Sequence, residues 1–223
     1  MAPHERWLAA AWPFVRGRLP PAPARIVEVG CGSAGGFVPI LRANGYDATG
    51  IDPVAPAEAH YEQTAFEQAE LPEPLDAVVA STSLHHVADP ASVIDRIASA
   101  LTRHGTLIVV EWAWEKFDRR TADWCFARLG PDEEPGWLHR RRDEWLASNL
   151  EWSRYLFAWA EGEQLHRGHE LVDLLDERLE RTLLDEGPYF FADLARATEA
   201  DEQAAIDAGE IAATRINWVG TRR

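Results

Sequence analysis

Apolar and β-branched runs of strand length alternate with segments of helical periodicity through the first half of the chain. The clearest runs are 25–29, 47–52, 76–81 and 106–111, with a weaker run at 61–66. Each is too short to be a long buried helix and is bounded by residues that favour turns. The pattern therefore predicts at least four strands, with helices between them.

Helix boundary signals support this alternation. Asp89 followed by Pro90 is typical of an N-cap and a first helical residue, and the apolar stripe that begins there predicts a helix up to His104-Gly105. Earlier in the chain, Asn44-Gly45 ends the helical pattern that follows the first run. Strands and helices in this order are typical of βαβ units, so we expect a doubly wound α/β sheet that is mostly parallel.

Beyond Glu111 the pattern becomes helical, and seven of the ten tryptophans lie between Trp112 and Trp159. We interpret this segment as an inserted helical cap. Two stripes of mainly apolar residues run along one predicted helix at 145–160. The first is Trp145, Leu146, Asn149, Leu150, Ser153, Leu156 and Phe157, and the second is Trp152, Tyr155 and Trp159. A helix that is apolar on two sides must be covered twice, by the sheet, another cap helix, a second subunit or an aromatic substrate.

The C-terminal part returns to β-rich composition after a helical stripe that ends at Leu179. Residues 188–191 and 214–219 are predicted to pair as an antiparallel edge. The changes of pattern together predict one domain over 1–223 with four parts. These are an N-terminal helical segment at 1–24, a core at 25–111, the helical cap at 112–187, and C-terminal strands with a helix at 188–223.

Charge and composition narrow the possible partners. With 22 Lys and Arg against 37 Asp and Glu, the net charge of −15 disfavours binding to nucleic acid. The apolar runs are too short to span a membrane, and no export signal is visible. Cys31 and Cys125 show no disulfide spacing. We therefore expect a cytoplasmic protein, either a monomer or a homodimer.

A glycine-rich turn follows the first predicted strand. Residues 30–35 read G-x-G-x-x-G, and a helical pattern comes next, which is the context in which this motif binds an anionic or nucleoside ligand. Asp52 lies 22 residues after Gly30 at the end of the second strand, where a carboxylate can accept bonds from ribose hydroxyls. Glu28 is not part of the dinucleotide fingerprint. An acid beside the loop suits a ligand that carries an ammonium and a sulfonium.

The stretch 27–35 resembles motif I of the class I S-adenosylmethionine-dependent methyltransferases. Segments 50–52, 75–81, 84–90 and 105–111 resemble later motifs of that family, in the family's order. The resemblance covers about 85 residues, from 25 to 111. It implies a Rossmann-like sheet, S-adenosylmethionine as cofactor with S-adenosylhomocysteine as product, and a small-molecule acceptor.

The resemblance also implies roles for individual residues. Gly30 and Gly32 would hold the methionine portion, Glu28 its amino end and Asp52 the ribose. The chain departs from the family's pattern near the adenine, where Phe66 and Glu67 stand in place of the usual aspartate. The complete set of expected cofactor contacts is Glu28, Gly30, Cys31, Gly32, Asp52, Pro53, Phe66, Glu67 and Ser81.

The implied reaction is an in-line displacement at a methyl carbon, which alignment alone can accelerate. A base is needed for a hydroxyl acceptor, and His85, just past a strand end, is the candidate. The substrate-side candidates are His86, Glu111 and the tryptophans Trp7, Trp12, Trp112 and Trp114. The acceptor atom stays open between oxygen, nitrogen and carbon.

Alternatives remain at this point. An NAD(P)-dependent oxidoreductase fits the glycine motif and Asp52, and a non-catalytic S-adenosylmethionine-binding protein fits all the motifs. The basic run 140–142 is most simply a solvated helix start, although it would also suit a substrate with a carboxylate. His166 and His169 are spaced by three, but no further ligand is suggested, so no metal is expected.

Overall fold

The structure, a computed structural model, describes residues 1–72, 74–131 and 135–223. Within these residues the strands form one seven-stranded sheet. In chain order they are β1 (Arg25–Val29), β2 (Asp47–Ile51), β3 (Tyr61–Glu62), β4 (Leu75–Ser81), β5 (Leu101–Trp112), β6 (Leu179–Gly187) and β7 (Arg215–Arg222). The helices are α1 (Pro3–Arg16), α2 (Val38–Ala43), α3 (Pro90–Ala100), α4 (Arg119–Phe126), α5 (Trp137–Ser148), α6 (Trp152–Gly162), α7 (Gly168–Arg178) and α8 (Glu199–Asp207).

The sheet confirms the predicted fold class. Its order is β3-β2-β1-β4-β5-β7-β6, and the first five strands in that order are parallel. β7 runs antiparallel to both β5 and β6. The chain moves outward from β1 to β2 on one side and to β4 on the other. The carboxyl ends of β1, β2 and β4 therefore meet at a topological switch point, where open α/β sheets bind their ligands.

The prediction that 188–191 pairs with 214–219 is wrong about the first of these two segments. β7 is the expected strand, but it pairs with Leu179–Gly187 and not with 188–191. Residues Phe190–Ala192 form a 3₁₀ turn instead. β6 is an edge strand whose residues between Leu179 and Gly187 are mostly exposed, Leu184 included, so it lacks the alternation that marks a half-buried strand. For the same reason β6 was missed inside the predicted cap at 112–187.

Two element ends differ from their predictions. α3 ends at Ala100, not at His104-Gly105, because Leu101 leaves the helical conformation and is buried in the sheet core, where it pairs with Leu75. The register then shifts before Ala77 pairs with Thr106, which accommodates the intervening residues as a bulge. β3 is also shorter than the predicted run at 61–66. The N-cap at Asp89 is confirmed, since its carboxylate accepts the N–H of Ser92.

The tryptophan-rich segment is helical, as expected, but 145–160 is not one helix. Asn149 adopts the left-handed conformation, with φ of 53°, and ends α5 before α6 begins at Trp152. This break rotates the stripes relative to the prediction. Trp152 is 0% exposed, whereas Leu146 is 59% exposed. The second stripe therefore packs inward, and much of the first faces outward.

An aromatic layer covers this end of the sheet. Trp152 donates its indole N–H to the Phe117 carbonyl oxygen at 2.7 Å, and the two rings meet edge to face at 5.1 Å. Trp112, at the end of β5, stacks on Tyr189 with 5.5 Å between the ring centroids. The aromatic layer thus joins α4, α5 and α6 to the sheet and to the segment after β6, which comprises residues 188–198. In the part of the chain described, no helix has the length and apolar character needed to cross a bilayer.

We expect Trp152→Ala to lower the free energy of unfolding by about 3–5 kcal/mol, because it removes a fully buried ring and leaves the Phe117 carbonyl unpaired. Leu146→Ala is the matched control, since the simple helical pattern places it inward and the structure places it outward. Its cost should be below about 0.5 kcal/mol. Urea titrations measure both, and equal losses would contradict the break at Asn149.

Candidate active site

Two adjoining cavities lie at the carboxyl ends of β1, β2 and β4. The large cavity, of about 670 Å³, is lined by the glycine turn, by Ser81 and by residues of α1, α5 and the segment after β6. The small cavity, of about 290 Å³, is lined by residues at the ends of β1 and β2, by 65–67 and by the turn after β4, residues 82–88. Gly30 and Thr82 line both cavities, so the two meet at the end of β1.

The glycine turn needs glycine at the positions where the chain comes closest to its neighbours. Gly30 has φ of +77°, and a Cβ atom there would overlap the Ser83 side chain. Gly36 has φ of +55°, and a Cβ atom there would overlap the Glu28 carboxylate. Left-handed backbone and close approach both favour glycine. The glycine turn therefore packs tightly against β1 and against the turn after β4. It also lines the large cavity.

Glu28 anchors the glycine turn from beneath. It is 1% exposed, and its Oε2 accepts the N–H groups of Phe37 at 2.7 Å and Val38 at 3.1 Å, at the start of α2. Burial raises the pKa of this carboxyl to about 8, although the two N–H groups oppose that shift and the charge of Asp52 adds to it. Glu28 also lines the large cavity, in which the predicted ligand amine would lie.

Asp52 ties the second strand to the glycine turn. Its Oδ2 accepts the N–H of Gly32 at 3.0 Å, and its Oδ1 accepts the N–H of Val54 at 2.8 Å. A carboxylate has about four acceptor sites, and these two bonds leave acceptor capacity on both oxygens. Asp52 lines the small cavity beside Phe66 and Glu67. This arrangement suits two neighbouring hydroxyl groups of a nucleoside.

The turn after β4 is held by a second buried glutamate. Glu111, at the end of β5, is 2% exposed and accepts the N–H groups of Ser83 at 2.7 Å and Leu84 at 2.6 Å. His85 Nδ1 lies 2.5 Å from its other oxygen. Burial alone would raise the pKa of Glu111, but the charge of His85 and these hydrogen bonds outweigh it, so the pKa is lowered. Thr82, with φ of +49°, is kept in a strained conformation between the two cavities.

A third buried glutamate holds the segment after β6. Glu202 of α8 is 1% exposed and accepts the N–H groups of Tyr189, Phe190 and Phe191 at 2.8, 3.1 and 2.6 Å. Burial raises its pKa, since the three N–H groups only partly compensate for lost hydration. This contact fixes the start of a segment that contributes Tyr189, Ala192 and Asp193 to the large cavity.

The outer wall of the large cavity is assembled from distant parts of the chain. α1 contributes His4 and Trp7, and α5 contributes Trp137 and Arg140. The guanidinium of Arg6 donates to the carbonyl oxygens of Phe191, Ala192 and Leu194, and so ties α1 to the segment after β6. Trp7 and Tyr189 meet edge to face at 6.3 Å. The outer wall is therefore aromatic, with charged groups among the rings.

Each of the nine residues predicted to contact the cofactor lines one of the two cavities. The large cavity has Glu28, Cys31, Gly32 and Ser81, the small cavity has Asp52, Pro53, Phe66 and Glu67, and Gly30 belongs to both. Phe66 and Glu67, which stand where the family usually has an aspartate near the adenine, thus line the small cavity together with Asp52, the residue expected to hold the ribose. Burial raises the pKa of the Cys31 thiol to about 12, so this residue contributes a neutral group.

The predicted substrate-side residues separate into two sets. Trp7 lines the large cavity and His86 the small one. His85, Glu111, Trp12, Trp112 and Trp114 line neither. His85 is 4% exposed and bonded to Glu111, and Trp114 donates its indole N–H to the His166 carbonyl at 2.9 Å. Their proposed contacts with substrate stay predictions.

Sequence reasoning missed most of the outer wall. His4, Trp137, Tyr189 and Asp193 line the large cavity and were not among the candidates. They come from three separate segments, and no local motif connects them. Arg140 could have been found from the basic run 140–142, to which it belongs. That it, and neither of its two neighbours, lines the large cavity follows only from the fold.

Other candidate features lie apart from this site. An open groove of about 810 Å³ runs along α3, lined by residues such as Leu71, Asp95 and Arg96, and shares no residue with the two cavities. His166 and His169 do not converge, because His166 Nε2 lies 2.9 Å from the Val87 carbonyl and His169 Nδ1 lies 3.1 Å from Glu115. Among the described residues, no group of three or more potential metal ligands comes together.

Comparison with protein families gives a match over residues 5–178 to a methyltransferase domain. The chain belongs to this methyltransferase family. The membership confirms the identification made from the motifs, a class I methyltransferase whose cofactor is S-adenosylmethionine. It favours the methyltransferase over the NAD(P)-dependent oxidoreductase.

Two curated relatives match part of the chain. It is 35% identical over 113 residues to a ubiquinone biosynthesis O-methyltransferase from Xylella fastidiosa, covering 43% of this chain and 45% of the relative. It is 29% identical over 143 residues to a protein of the same name from Methylobacterium sp., covering 58% and 55%. The chain thus spans about half the length of the curated relatives it matches.

Solved structures share the fold over almost the whole chain. An S-adenosylmethionine-dependent methyltransferase from Mesorhizobium loti superposes with a TM-score of 0.54 at 19% identity, covering 96% of this chain and 98% of that one. A geranyl diphosphate C-methyltransferase from Streptomyces coelicolor gives 0.59 at 14% identity, covering 96% and 80%. At such identities the likeness concerns the architecture.

The residues present fit the cofactor of this family. A turn with exposed backbone, an acid with free acceptor capacity at the end of β2 and an aromatic ring at Phe66 surround two connected cavities. The ligand carries a nucleoside and a cationic amino acid portion, and these groups require hydroxyl-binding and acidic partners respectively. Asp52 and Glu28 supply both kinds of partner.

We expect the stability of the methyltransferase without cofactor to reflect the buried Glu28. Its folded-state pKa of about 8 lies above the ordinary value of 4.5, so its favourable contribution is complete below pH 4.5 and is lost as the pH rises through 8. Glu28→Gln keeps an acceptor for the N–H groups of Phe37 and Val38 but cannot ionise. The variant should therefore lose less stability than the wild type between about pH 5 and pH 9.

Urea titrations across this range measure the difference. Glu180→Gln, at an exposed position on β6, is the control and should follow the wild-type profile. Parallel profiles for wild type and Glu28→Gln would show that the carboxyl is already ionised in the folded protein at low pH.

Proposed function

We propose that the methyltransferase transfers the methyl group of S-adenosylmethionine to a hydroxyl oxygen of a small aromatic molecule. The observation that carries this proposal is the large cavity, which continues from the glycine turn to a wall of aromatic rings. Trp7, Trp137 and Tyr189 belong to that wall. Rigid rings favour a flat acceptor through stacking and edge contacts. The same cavity argues for catalysis and against a protein that only binds the cofactor.

The two cavities suggest how the ligands divide the space. Asp52 would accept hydrogen bonds from the ribose in the small cavity, and Phe66 would pack against the base. Backbone groups of Gly30 and Gly32, with Glu28, would hold the amino acid portion in the inner part of the large cavity. The outer part, between α1, α5 and the segment after β6, is then left for the acceptor.

The cofactor, when bound, supplies a methyl carbon on a sulfonium, which a nucleophile can displace. In the proposed reaction the acceptor oxygen forms a bond to that carbon as the carbon–sulfur bond breaks, and the hydroxyl proton is released. The products are the methyl ether, S-adenosylhomocysteine and a proton. The contribution of the protein is to hold the acceptor in line and to exclude water, which can account for much of the acceleration.

Two further observations bear on the acceptor atom and the proton. Oxygen is favoured because both curated relatives are named O-methyltransferases. The predicted base His85 lies outside both cavities, with its Nδ1 held by Glu111 and its carbonyl accepting the N–H of His166. We therefore favour a positioning role for His85 in the turn after β4. A single domain over 1–223, a cytoplasmic location and the monomer and homodimer alternatives stay predictions.

Asp52→Ala should weaken the binding of S-adenosylmethionine and S-adenosylhomocysteine by about 1.5–3 kcal/mol, if its carboxylate makes charge-assisted bonds to the ribose. Calorimetric titration measures this change. Asp47→Ala, at the opposite end of β2 and exposed, is the control and should leave both affinities unchanged. An unaltered affinity in Asp52→Ala would place the nucleoside elsewhere.

The acceptor class is tested with methyl-labelled S-adenosylmethionine and a matched set of acceptors. We expect label to enter catechol, and not aniline or cyclohexanol, because the wall favours an aromatic ring and the proposed nucleophile is oxygen. Mass spectrometry of the product identifies the methylated atom. Transfer to aniline nitrogen or to ring carbon, with none to oxygen, would overturn the assignment of the acceptor atom.

A further inference from the structure

The outer wall of the large cavity holds a cation that the proposed reaction does not use. We propose that Arg140 binds a carboxylate on the acceptor, so that the preferred substrates are aromatic acids with a ring hydroxyl. This inference rests on the proposed function, because it concerns the acceptor of the same site. Arg140 belongs to the basic run 140–142, whose three arginines have different surroundings.

The other two arginines of the run have acidic partners. Arg141 is buried, donates to Glu144 at 2.7 Å and lies 4.7 Å over the ring of Trp159. Arg142 donates to Asp143 at 2.8 Å. Both guanidinium groups are thus paired with carboxylates of α5 itself. Neither residue lines the large cavity.

Arg140 differs from its neighbours in both respects. It lines the large cavity, and its Nη1 donates to the Pro135 carbonyl oxygen at 3.1 Å. Across 1–72, 74–131 and 135–223, no carboxylate forms an ion pair with it. A guanidinium has five N–H donors in a planar fork that matches a carboxylate, so most of its donors are available. A ligand carboxylate would complete this fork.

The charges around Arg140 favour an anion. Asp193 is the nearby acid on the cavity wall, and it faces Arg6, His139 and Arg140. Burial raises the pKa of Asp193 even though these three bases lower it. The guanidinium of Arg6 is bonded to carbonyl oxygens and not to a carboxylate. Among the described residues, Arg140 lines the outer part of the cavity with a single carboxylate, that of Asp193, and the guanidinium of Arg6 behind the wall adds a second positive charge near it.

The aromatic wall and the cation lie on the same elements. Trp137 and Arg140 are three residues apart on α5 and therefore point to one side of the helix. Trp7 of α1 lines the same cavity, and its buried indole N–H has no acceptor among the described residues. A ring placed between these tryptophans would bring a carboxylate substituent to Arg140. An oxygen of the ligand would also suit the unpaired indole N–H.

The test compares two probes that differ only in the carboxylate, catechol and 3,4-dihydroxybenzoate. Binding is measured by calorimetry in the presence of saturating S-adenosylhomocysteine, so that no turnover occurs. We expect the wild type to bind 3,4-dihydroxybenzoate at least about tenfold more tightly than catechol. Arg140→Gln should weaken 3,4-dihydroxybenzoate by about tenfold to a hundredfold and leave catechol unchanged.

Two further variants separate a specific contact from a general effect. Arg142→Gln removes a charge from the same helix outside the cavity and should change neither probe. Arg140→Lys keeps the charge without the fork and should give an intermediate affinity for 3,4-dihydroxybenzoate. Equal binding of the two probes to the wild type, an equal loss of both in Arg140→Gln, or the same loss in Arg142→Gln would overturn the proposal.

The outcome is separable from that of the proposed function. Methyl transfer to catechol without any preference for 3,4-dihydroxybenzoate would support the proposed function and contradict the role of Arg140. Binding of 3,4-dihydroxybenzoate that depends on Arg140, with no methyl transfer to a ring hydroxyl, would support the anion site and contradict the proposed function.

Discussion

The candidate site depends on one repeated interaction, a buried glutamate carboxylate that accepts the N–H groups of a neighbouring turn. Glu28 does this for the start of α2, Glu111 for the turn after β4 and Glu202 for the segment after β6. A buried carboxylate is costly unless its oxygens are bonded, and backbone N–H groups in a turn are equally costly if left unpaired. Each glutamate satisfies both needs at once. Each of the three held segments lies next to, or forms part of, a wall of the two cavities.

This arrangement gives part of the acidity of the chain an internal role. The three carboxylates are alike in burial but not in electrostatic surroundings. Glu28 and Glu202 bind only neutral N–H groups and have raised pKa values, whereas Glu111 also faces His85 and has a lowered one. A histidine partner thus keeps one of the three charged. That carboxylate accepts the N–H groups of Ser83 and Leu84, which directly follow Thr82 and its positive φ.

The parts of the structure that were predictable are those specified by neighbouring residues. The glycine turn, the acid at the end of β2 and the N-cap at Asp89 each depend on a few adjacent positions, and they lie as expected. β6 was missed because an edge strand need not alternate, and the break at Asn149 because a single left-handed residue does not disturb apolar spacing. Most of the outer wall could not be derived, although Trp7 and the basic run that contains Arg140 were singled out. The wall joins α1, α5 and the segment after β6, and only the complete fold brings these together.

The same distinction changes the meaning of the tryptophans. Seven of them fall in one segment, which predicted an inserted cap with a substrate as one of its possible contacts, yet Trp112, Trp114 and Trp152 are buried against other rings. Their bulk builds the layer that supports α5, and of that segment Trp137 reaches the large cavity. A rigid layer fixes where the first turn of α5 lies, and with it Arg140. The acceptor would then be selected by the few side chains at the edge of the layer, while the remaining rings determine their position.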